Sequence, residues 1–570
     1  MYLRTTQQRR KDGRVVRYLQ LAESYRNERG TTVARVVSHL GREDEVDRAG
    51  LVRLVASIQR FLGAGGPDDE EGGLVGGEGF ALEGAWEVGA PHVVAALWEE
   101  LGLARTLRRA ARRGRFTTDM ERAVLVMVCQ RICEPGSKLE ATRWLRDEVR
   151  LPGISEVSDD QLYRALDFLL AEGDRLQEAV FASVANLLNL DVDLVFFDTT
   201  STYFEVEPEP GAEPDANGAD EAAAAGRGAD DASSLRRLGH SKDHRPDLPQ
   251  VVIGLAVTKT GIPVRCWVWP GNTSDQAVVE QVRDDLRGWK LDRSMLVCDT
   301  GFSARSNLVY LTRGGGHYLA GIKLRAGMAD VEQALSRQGR YLEVSDNLAV
   351  KEVWLHRGEA GERRFIVCKN RDEAQRDRLR RDAAISRLET ELADLKVLAG
   401  AAHHKRECAL RAHPSLGRYL RQTATGRLVI DRQKLAAEER LDGKYLIETS
   451  DRTLSAADAA LAYKNLLQAE RGFRDLKGRI ELRPVYHRLD ERIRAHVLVC
   501  FLALLIVRVC ETRADQTWPA QRRLLRRIKL ARFASKDGRF DQRSELDHEQ
   551  KHLLRALNVV EPERVSTISV

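Results

Sequence analysis

A chain of 570 residues with 43% hydrophobic and 31% charged residues is too long for a single core and too well balanced for a disordered polymer. About two to four globular domains are expected. The formal net charge of +5 permits an anionic partner without demanding one, and eight scattered cysteines exclude a disulfide scaffold. The N-terminus has no apolar signal core, and the longest apolar run, Val497–Val507, is too short to cross a bilayer. A buried helix is expected there, in a cytoplasmic protein with reduced thiols.

Residues 1–46 alternate basic and β-branched positions around the turn signals Lys11-Asp-Gly13 and Glu28-Arg-Gly30. This predicts a small antiparallel meander with strands at Val15–Leu19 and Thr31–Val37. A helix is expected over Val46–Leu62 and a flexible, glycine-rich linker over Gly63–Gly79, so the first unit spans 1–62 and the linker 63–80. Residues 81–190 carry a helical pattern. Within it, Leu103–Arg115 holds six arginines and no acid. Such a face suits a DNA backbone, and it equally suits a solvated helix surface. A second basic run, Arg522–Lys529, lies in the segment 513–570, which reads as a basic helical tail.

Leu194-Val-Phe-Phe197 is a non-alternating apolar run that predicts a strand buried on both faces, ending at Asp198 before Thr-Thr-Ser. A carboxylate where a strand leaves the sheet stands where ligands usually bind, although turn and cap aspartates are common. Glu205–Ser234, rich in Ala, Gly, Asp, Glu and Pro, is expected to be a disordered insertion. A hairpin follows (Val251–Val257, turn Thr258–Gly261, Ile262–Trp269), and then a helix to Trp289 capped at Gly271–Asp275. The strand Met295–Asp299 repeats the theme of an apolar run closed by an aspartate. A helix over Ser303–Thr312 and the strand His317–Ile322 complete the first part of the core, residues 191–325.

Three strands followed by strand–helix alternation predict an α/β mixed sheet of the ribonuclease-H-like kind. In that fold the first and fourth strands are neighbours, so Asp198 and Asp299 would meet and offer oxygen ligands to Mg²⁺ or Mn²⁺. Residues 326–453 read as an insertion of short strands around a helix, Arg371–Leu398. Ile385, Leu388, Leu392 and Leu395 give that helix a seam for either a coiled-coil contact or an internal helical hairpin. Residues 454–512 return to the core. Ser455–Asp458 caps a helix predicted to run through Tyr463, Glu470 and Lys477, whose seven-residue spacing puts all three on one stripe. Arg474 shares that face, and an ordinary surface Glu–Arg pair would look the same.

Asp198-Thr-Thr, Asp299-Thr-Gly and the spaced Tyr463, Glu470 and Lys477 together resemble the insertion-sequence DDE transposases. The likeness is to the group with a Tyr-Arg-Glu-Lys signature and a β-rich insertion before the last carboxylate. Gly239–Asp247 and Pro270–Asp275 resemble that group's sheet region, and the likeness covers about residues 120–510. One position departs, since the signature arginine is Leu466 here. The resemblance implies cleavage at the element's terminal inverted repeats and transfer of the 3′-OH ends into target DNA. It implies Asp198, Asp299 and Glu470 as catalytic metal ligands for two Mg²⁺ or Mn²⁺ ions. Tyr463, Arg471, Arg474 and Lys477 would contact phosphate, with Arg471 or Arg474 replacing the missing arginine. Lys242, Arg245, Arg108, Arg109, Arg112 and Arg113 are assigned to further DNA contacts. Trp354 is the candidate to stack on a base, against the alternative of a core tryptophan. A homodimer in the DNA complex is expected. A nuclease without strand transfer, or an inactive DNA-binding relic, would be the alternatives.

Overall fold

The computed structural model describes residues 2–9, 15–26, 32–42, 81–116, 119–188, 190, 192–205, 234–291, 293–324, 328–356, 362–485, 487–535 and 538–569. The helix expected over Val46–Leu62, the linker Gly63–Gly79 and nearly all of the insertion Glu205–Ser234 lie outside the described residues. Two compact units emerge, one formed by Met1–Asn189 with Arg474–Val570 and the other by Leu190–Phe473.

The second unit is built on a nine-stranded mixed sheet. Leu194–Tyr203 pairs antiparallel with Gln250–Val257, which pairs with Pro263–Pro270 across a turn closed by Gly261 N–H on Thr258 O at 2.9 Å. On its other side Leu194–Tyr203 runs parallel to Met295–Cys298, and that strand runs parallel to His317–Ile322. Lys444–Thr449 continues the sheet antiparallel to His317–Ile322, and Glu362–Lys369, Leu348–His356 and Leu342–Ser345 extend it to the far edge. The strands of 326–453 are therefore not a separate sheet. They prolong the core sheet, because Lys444–Thr449 supplies the pairing edge that joins them to it. Val353, Leu355, Phe365, Val367 and Leu446 bury one face of this extension under Val331 and Ala334 of the helix Ala329–Ser336.

The first aspartate strand differs from expectation. It continues through Asp198 to Tyr203, because Thr199–Tyr203 are β-favouring residues that keep pairing with Gln250–Gly254. The parallel partner ends at Cys298, opposite Phe197. Asp198 is thus the first residue beyond the end of the parallel ladder rather than the last of its strand. The helix Arg371–Val397 folds back on Gly400–Ala412. Leu388 and Leu395 are buried with Leu410, Leu416 and Tyr419, and Ile385 and Leu392 pack beside them, so the seam closes within the chain.

The predicted single helix from Ser455 to Lys477 is two, Ala456–Lys464 and Leu467–Gly478. Between them Asn465, Leu466, Gln468 and Ala469 bond back three residues instead of four, with N–H···O distances of 2.9–3.0 Å. That tightening breaks the stripe, so Tyr463 stands on a different helix from Glu470 and Lys477. Leu466 is buried, 6% exposed, which gives the joint an apolar anchor.

The first unit begins with the predicted meander, whose strands are Tyr2–Arg9, Val15–Arg26 and Thr32–Arg42. Its helices Gly89–Glu100, Met120–Cys133 and Asp159–Leu188 pack against Asp490–Ala514, and Leu103–Arg113 and Lys138–Asp147 pack on those helices. That helix is longer than the expected run Val497–Val507. It is long and apolar enough to cross a membrane by length and composition, but its apolar window is 94% buried within the fold. A core helix buried on every side needs no polar face. Residues 513–570 are helical only in part, at Trp518–Leu525 and His548–Ala556. Lys529–Ser535 and Gly538–Arg543 form a hairpin that pairs with Ala81–Glu87 on one side and Val565–Ser569 on the other. The basic run Arg522–Lys529 begins on the helix and ends where the strand starts; within the strand Leu530 and Phe533 pair across from Trp86 and Leu82, and Arg532 is taken up by Asp541 at 2.7 Å.

Candidate active site

Asp198 and Asp299 follow Phe197 and Cys298, which are register partners on adjacent parallel strands. Sequence fixes both strands with apolar, β-favouring residues, and the first polar residue on each is the carboxylate. Asp198 accepts the Thr199 backbone N–H at 2.7 Å. Burial is the main cause that raises its pKa to about 6, with Asp299 and Asp275 adding to the rise. The Lys242 ammonium and the Thr199 N–H oppose that shift. Asp299 begins the short turn Thr300–Phe302, and its Oδ1 accepts the Tyr463 hydroxyl at 3.0 Å. Burial, then the negative charge of Asp299, push the Tyr463 phenol above its ordinary range. Tyr463 stacks near Tyr445, with ring centroids 6.0 Å apart.

The sequence reading missed a third acid. Asp275 was expected to cap a helix, but its carboxylate accepts the Thr199 hydroxyl at 2.5 Å and pairs with Lys242 Nζ at 3.1 Å. The next residue, Gln276, serves the other aspartate's loop. Its Nε2 donates to Gly301 O, while its Oε1 accepts Ala304 N–H at 3.1 Å and Asn307 Nδ2 at 2.8 Å. Asp275-Gln276 therefore ties the Asp198 strand to the turn after Asp299. The only sequence signal was an acid beside a helix start, which local capping explains equally well.

The assigned DNA contacts are placed unevenly. Lys242 Nζ donates to Thr199 O at 2.9 Å and Thr199 Oγ1 at 2.7 Å, so its donors are committed inside the site rather than presented to a phosphate. Arg245 is exposed, clasps Asp247 at 2.8 Å and lies over Tyr203. Arg108 is held by Glu99 at 2.5 Å and Glu121 at 3.0 Å, and Arg113 by Glu172, whereas Arg109 and Arg112 are exposed with no acid partner among the described residues. Arg471 and Arg474 are exposed, and Lys477 is half-buried. Trp354 is half-buried and donates to Glu352 at 2.9 Å. It lines a cavity of about 160 Å³ together with Arg305, Arg364, Arg452 and the buried Glu448.

Glu470 is exposed on the first turn of its helix. Among the described residues no three His, Cys, Asp or Glu side chains converge tightly enough to ligate one ion. The structure brings Asp198 and Asp299 together and does not add Glu470 to them. The donor set at the pair still fits a hard divalent cation. It offers carboxylate oxygens on neighbouring strands, with Asp198 buried near Asp299 and Asp275.

A mixed sheet with two carboxylates at adjacent parallel strand ends offers a site of the kind that metal-dependent phosphoryl-transfer enzymes use. Residues 3–71 match the IS1634 family transposase N-terminal domain, and residues 229–506 match the transposase DDE domain. The chain belongs to the insertion-sequence DDE transposases. The matched DDE segment contains Asp299 and Glu470 and begins after Asp198. No curated protein matches the chain. Among solved structures, a piggyBac transposase synaptic complex with hairpin DNA is similar at 7% identity and a TM-score of 0.33, covering 72% of this chain and 70% of that one. That likeness is too distant to transfer any detail.

Proposed function

We propose that this transposase cuts DNA at the terminal inverted repeats of its own insertion element and joins the freed 3′-hydroxyls to target DNA. Asp198, Asp299 and Glu470 are the proposed catalytic carboxylates. They would hold Mg²⁺ or Mn²⁺, in the two-ion arrangement expected of oxygen ligands on phosphodiester substrates. The observation that carries the reading is the side-by-side pairing of the two aspartate strands, whose parallel ladder ends one residue before each carboxylate. The strand order, with an antiparallel hairpin beside parallel neighbours, supports a ribonuclease-H-like core.

When bound, the cations would supply charge neutralisation and lower the pKa of the attacking water or hydroxyl. The chain's own residues do the rest. Lys242 and the Thr199 N–H favour the ionised form of Asp198, and Tyr463 holds Asp299 in one orientation. Arg471, Arg474 and Lys477, on the helix of Glu470, would meet the phosphates flanking the cleaved bond. Arg471 or Arg474 would serve where Leu466 occupies the signature arginine position. Arg109 and Arg112, like Arg105, are exposed arginines of the 103–113 helix with no acid partner among the described residues, and would be left for a DNA backbone. Trp354, with the guanidinium groups of Arg364 and Arg452 within 6 Å of its ring, would stack on an unpaired base. Action as a homodimer on paired ends, in the cytoplasm on the nucleoid, completes the reading.

The test is a supercoiled plasmid carrying the inverted repeats that flank the gene, incubated with Mg²⁺, Mn²⁺ or EDTA. Cuts at the repeat boundaries with joined products, lost in EDTA and in Glu470→Gln, are the expected result. Random nicking without joined product would replace the proposal with a nuclease. Binding without any cutting would replace it with a DNA-binding relic.

A further inference from the structure

Lys242 is fixed at both ends among the carboxylates of the active site. Its backbone N–H donates to Ser201 Oγ at 2.8 Å. Its ammonium donates to Thr199 O at 2.9 Å and Thr199 Oγ1 at 2.7 Å, on the residue that follows Asp198. Asp275 closes the arrangement. One of its carboxylate oxygens pairs with the ammonium at 3.1 Å. The other accepts the Thr199 hydroxyl at 2.5 Å and lies 3.3 Å from the same nitrogen. Asp275 also lies against the turn of the other aspartate, since a Cβ on Gly301 would stand 3.0 Å from its Oδ2.

An ammonium has three N–H donors, and Thr199 O, Thr199 Oγ1 and Asp275 engage all three. The side chains of Lys242 and Asp275 are 31% and 27% exposed, so water reaches the pair. An ion pair with that exposure adds little to stability, which makes holding the fold together a poor account of so many bonds to one cation. Its position speaks instead for charge. The ammonium acts on Asp198, and so do the carboxylates of Asp275 and Asp299. Ionised, the three acids carry three negative charges and Lys242 returns one. One divalent cation then neutralises the cluster, and a second needs the negative charge of Glu470 and of a substrate phosphate.

We propose that Lys242 is a positioning residue of the active site, a built-in counter-cation that holds down the affinity of the aspartate pair for divalent metal. The inference rests on the reading above that Asp198 and Asp299 ligate the ion. Positive charges in one cluster of acids repel, so the metal binds against the charge of Lys242. Taking the ammonium away removes that opposition. A merely structural tie would act in the contrary direction, because loosening Thr199 would misplace Asp198 and weaken the metal.

Mn²⁺ is titrated calorimetrically into the full-length protein at a pH well above the Asp198 range, with Tm recorded for every variant. Lys242→Gln, which is neutral yet can still donate to Thr199 O, and Lys242→Met should each bind Mn²⁺ about three- to tenfold more tightly than wild type. Lys242→Arg keeps the charge and should stay near wild type. Asp275→Asn keeps the shape, loses a negative charge and should bind several-fold more weakly. Unchanged or weaker binding in a folded Lys242→Gln overturns the proposal and leaves Lys242 a structural tie. Asp198→Ala separates that failure from one of the underlying reading. If it binds Mn²⁺ as wild type does, or if wild type binds none, the aspartate pair is not the metal site and the role of Lys242 falls with it.

Discussion

The hydroxyl of Tyr463 donates to Asp299 Oδ1 at 3.0 Å, joining the helix before Glu470 to a candidate metal ligand. The contact depends on Gly321 of the neighbouring strand, since a Cβ there would lie 2.1 Å from the Tyr463 oxygen. Tyr463→Phe removes one hydrogen bond to a charged acceptor, worth about 1.5 kcal/mol, so cleavage should slow by roughly tenfold. DNA affinity should stay near the wild-type value. Gly321→Ala should do at least as much harm by forcing the ring away. Rates measured under single-turnover conditions check both, and an unimpaired Tyr463→Phe would reduce this bond to packing.

Asp275 and Gln276 bridge the two aspartates from a single dipeptide. Gln276→Ala abandons Gly301 O, the Ala304 N–H and Asn307, releasing the turn that follows Asp299. A displacement of about 1 Å at a reacting carboxylate can lower a rate by roughly two orders of magnitude. The expected result is a cleavage rate reduced on that scale with Tm lowered by only a few degrees. Calorimetric Mn²⁺ binding should weaken in parallel. A variant that loses Tm and activity together, with Mn²⁺ binding intact, would make Gln276 a simple stability residue.

Replacing Asp198, Asp299 or Glu470 by Ala should abolish Mg²⁺-dependent cutting and leave duplex binding largely intact, because DNA affinity resides in the basic residues. Glu470 is the sharpest of the three, since it stands exposed and apart from the aspartate pair. Retained cutting in Glu470→Ala would remove it from the reaction.

Much of the sheet was legible because apolar β-favouring runs bounded by turn residues have few other uses. His317–Ile322 and Leu348–His356 were read at their observed limits. Asp299 was readable as the residue after a short buried strand. What stayed hidden was non-local. Asp198 looked like a strand end, because the antiparallel partner that carries the strand on to Tyr203 lies some fifty residues away. Asp275 looked like a cap, because Thr199 and Lys242 meet it only in the fold. The break at Asn465-Leu466 was invisible because neither residue is a helix breaker, and the helical spacing of Tyr463 and Glu470 survives on paper. The C-terminal strands were missed because the helical reading of Arg522–Lys529, right only as far as Leu525, was carried on through them, while their pairing edge Ala81–Glu87 lies more than four hundred residues earlier.

Arg508, 3% exposed in the core helix, is met by Asp475 Oδ2 at 2.6 Å and Glu511 Oε2 at 2.7 Å. Asp475→Ala leaves the guanidinium without its closest counter-charge. Breaking one partner of a buried pair costs about 3–5 kcal/mol. Denaturant unfolding should show a loss of that size, and a loss below about 1 kcal/mol would mean that Glu511 alone suffices.

The buried imidazoles of His487 and His496 set an acid limit on stability. His487 is lowered to about 4 from 6.5, chiefly by burial and then by Lys138, Arg492 and Arg131. Burial likewise drives His496 well below 6.5, with the same Arg131 and Lys138 adding to the effect. Both are neutral in the folded chain at pH 6, whereas the unfolded chain protonates them as the pH falls below 6.5. The unfolded state then binds more protons, so stability is full above 6.5 and declines toward pH 4. His487 alone should contribute a loss on the order of 2–3 kcal/mol over that interval. In His487→Gln the decline between pH 6.5 and 4 should be visibly shallower than in wild type, by denaturant midpoints taken at half-unit steps. Parallel wild-type and His487→Gln profiles would show that carboxylates elsewhere govern the acid limit.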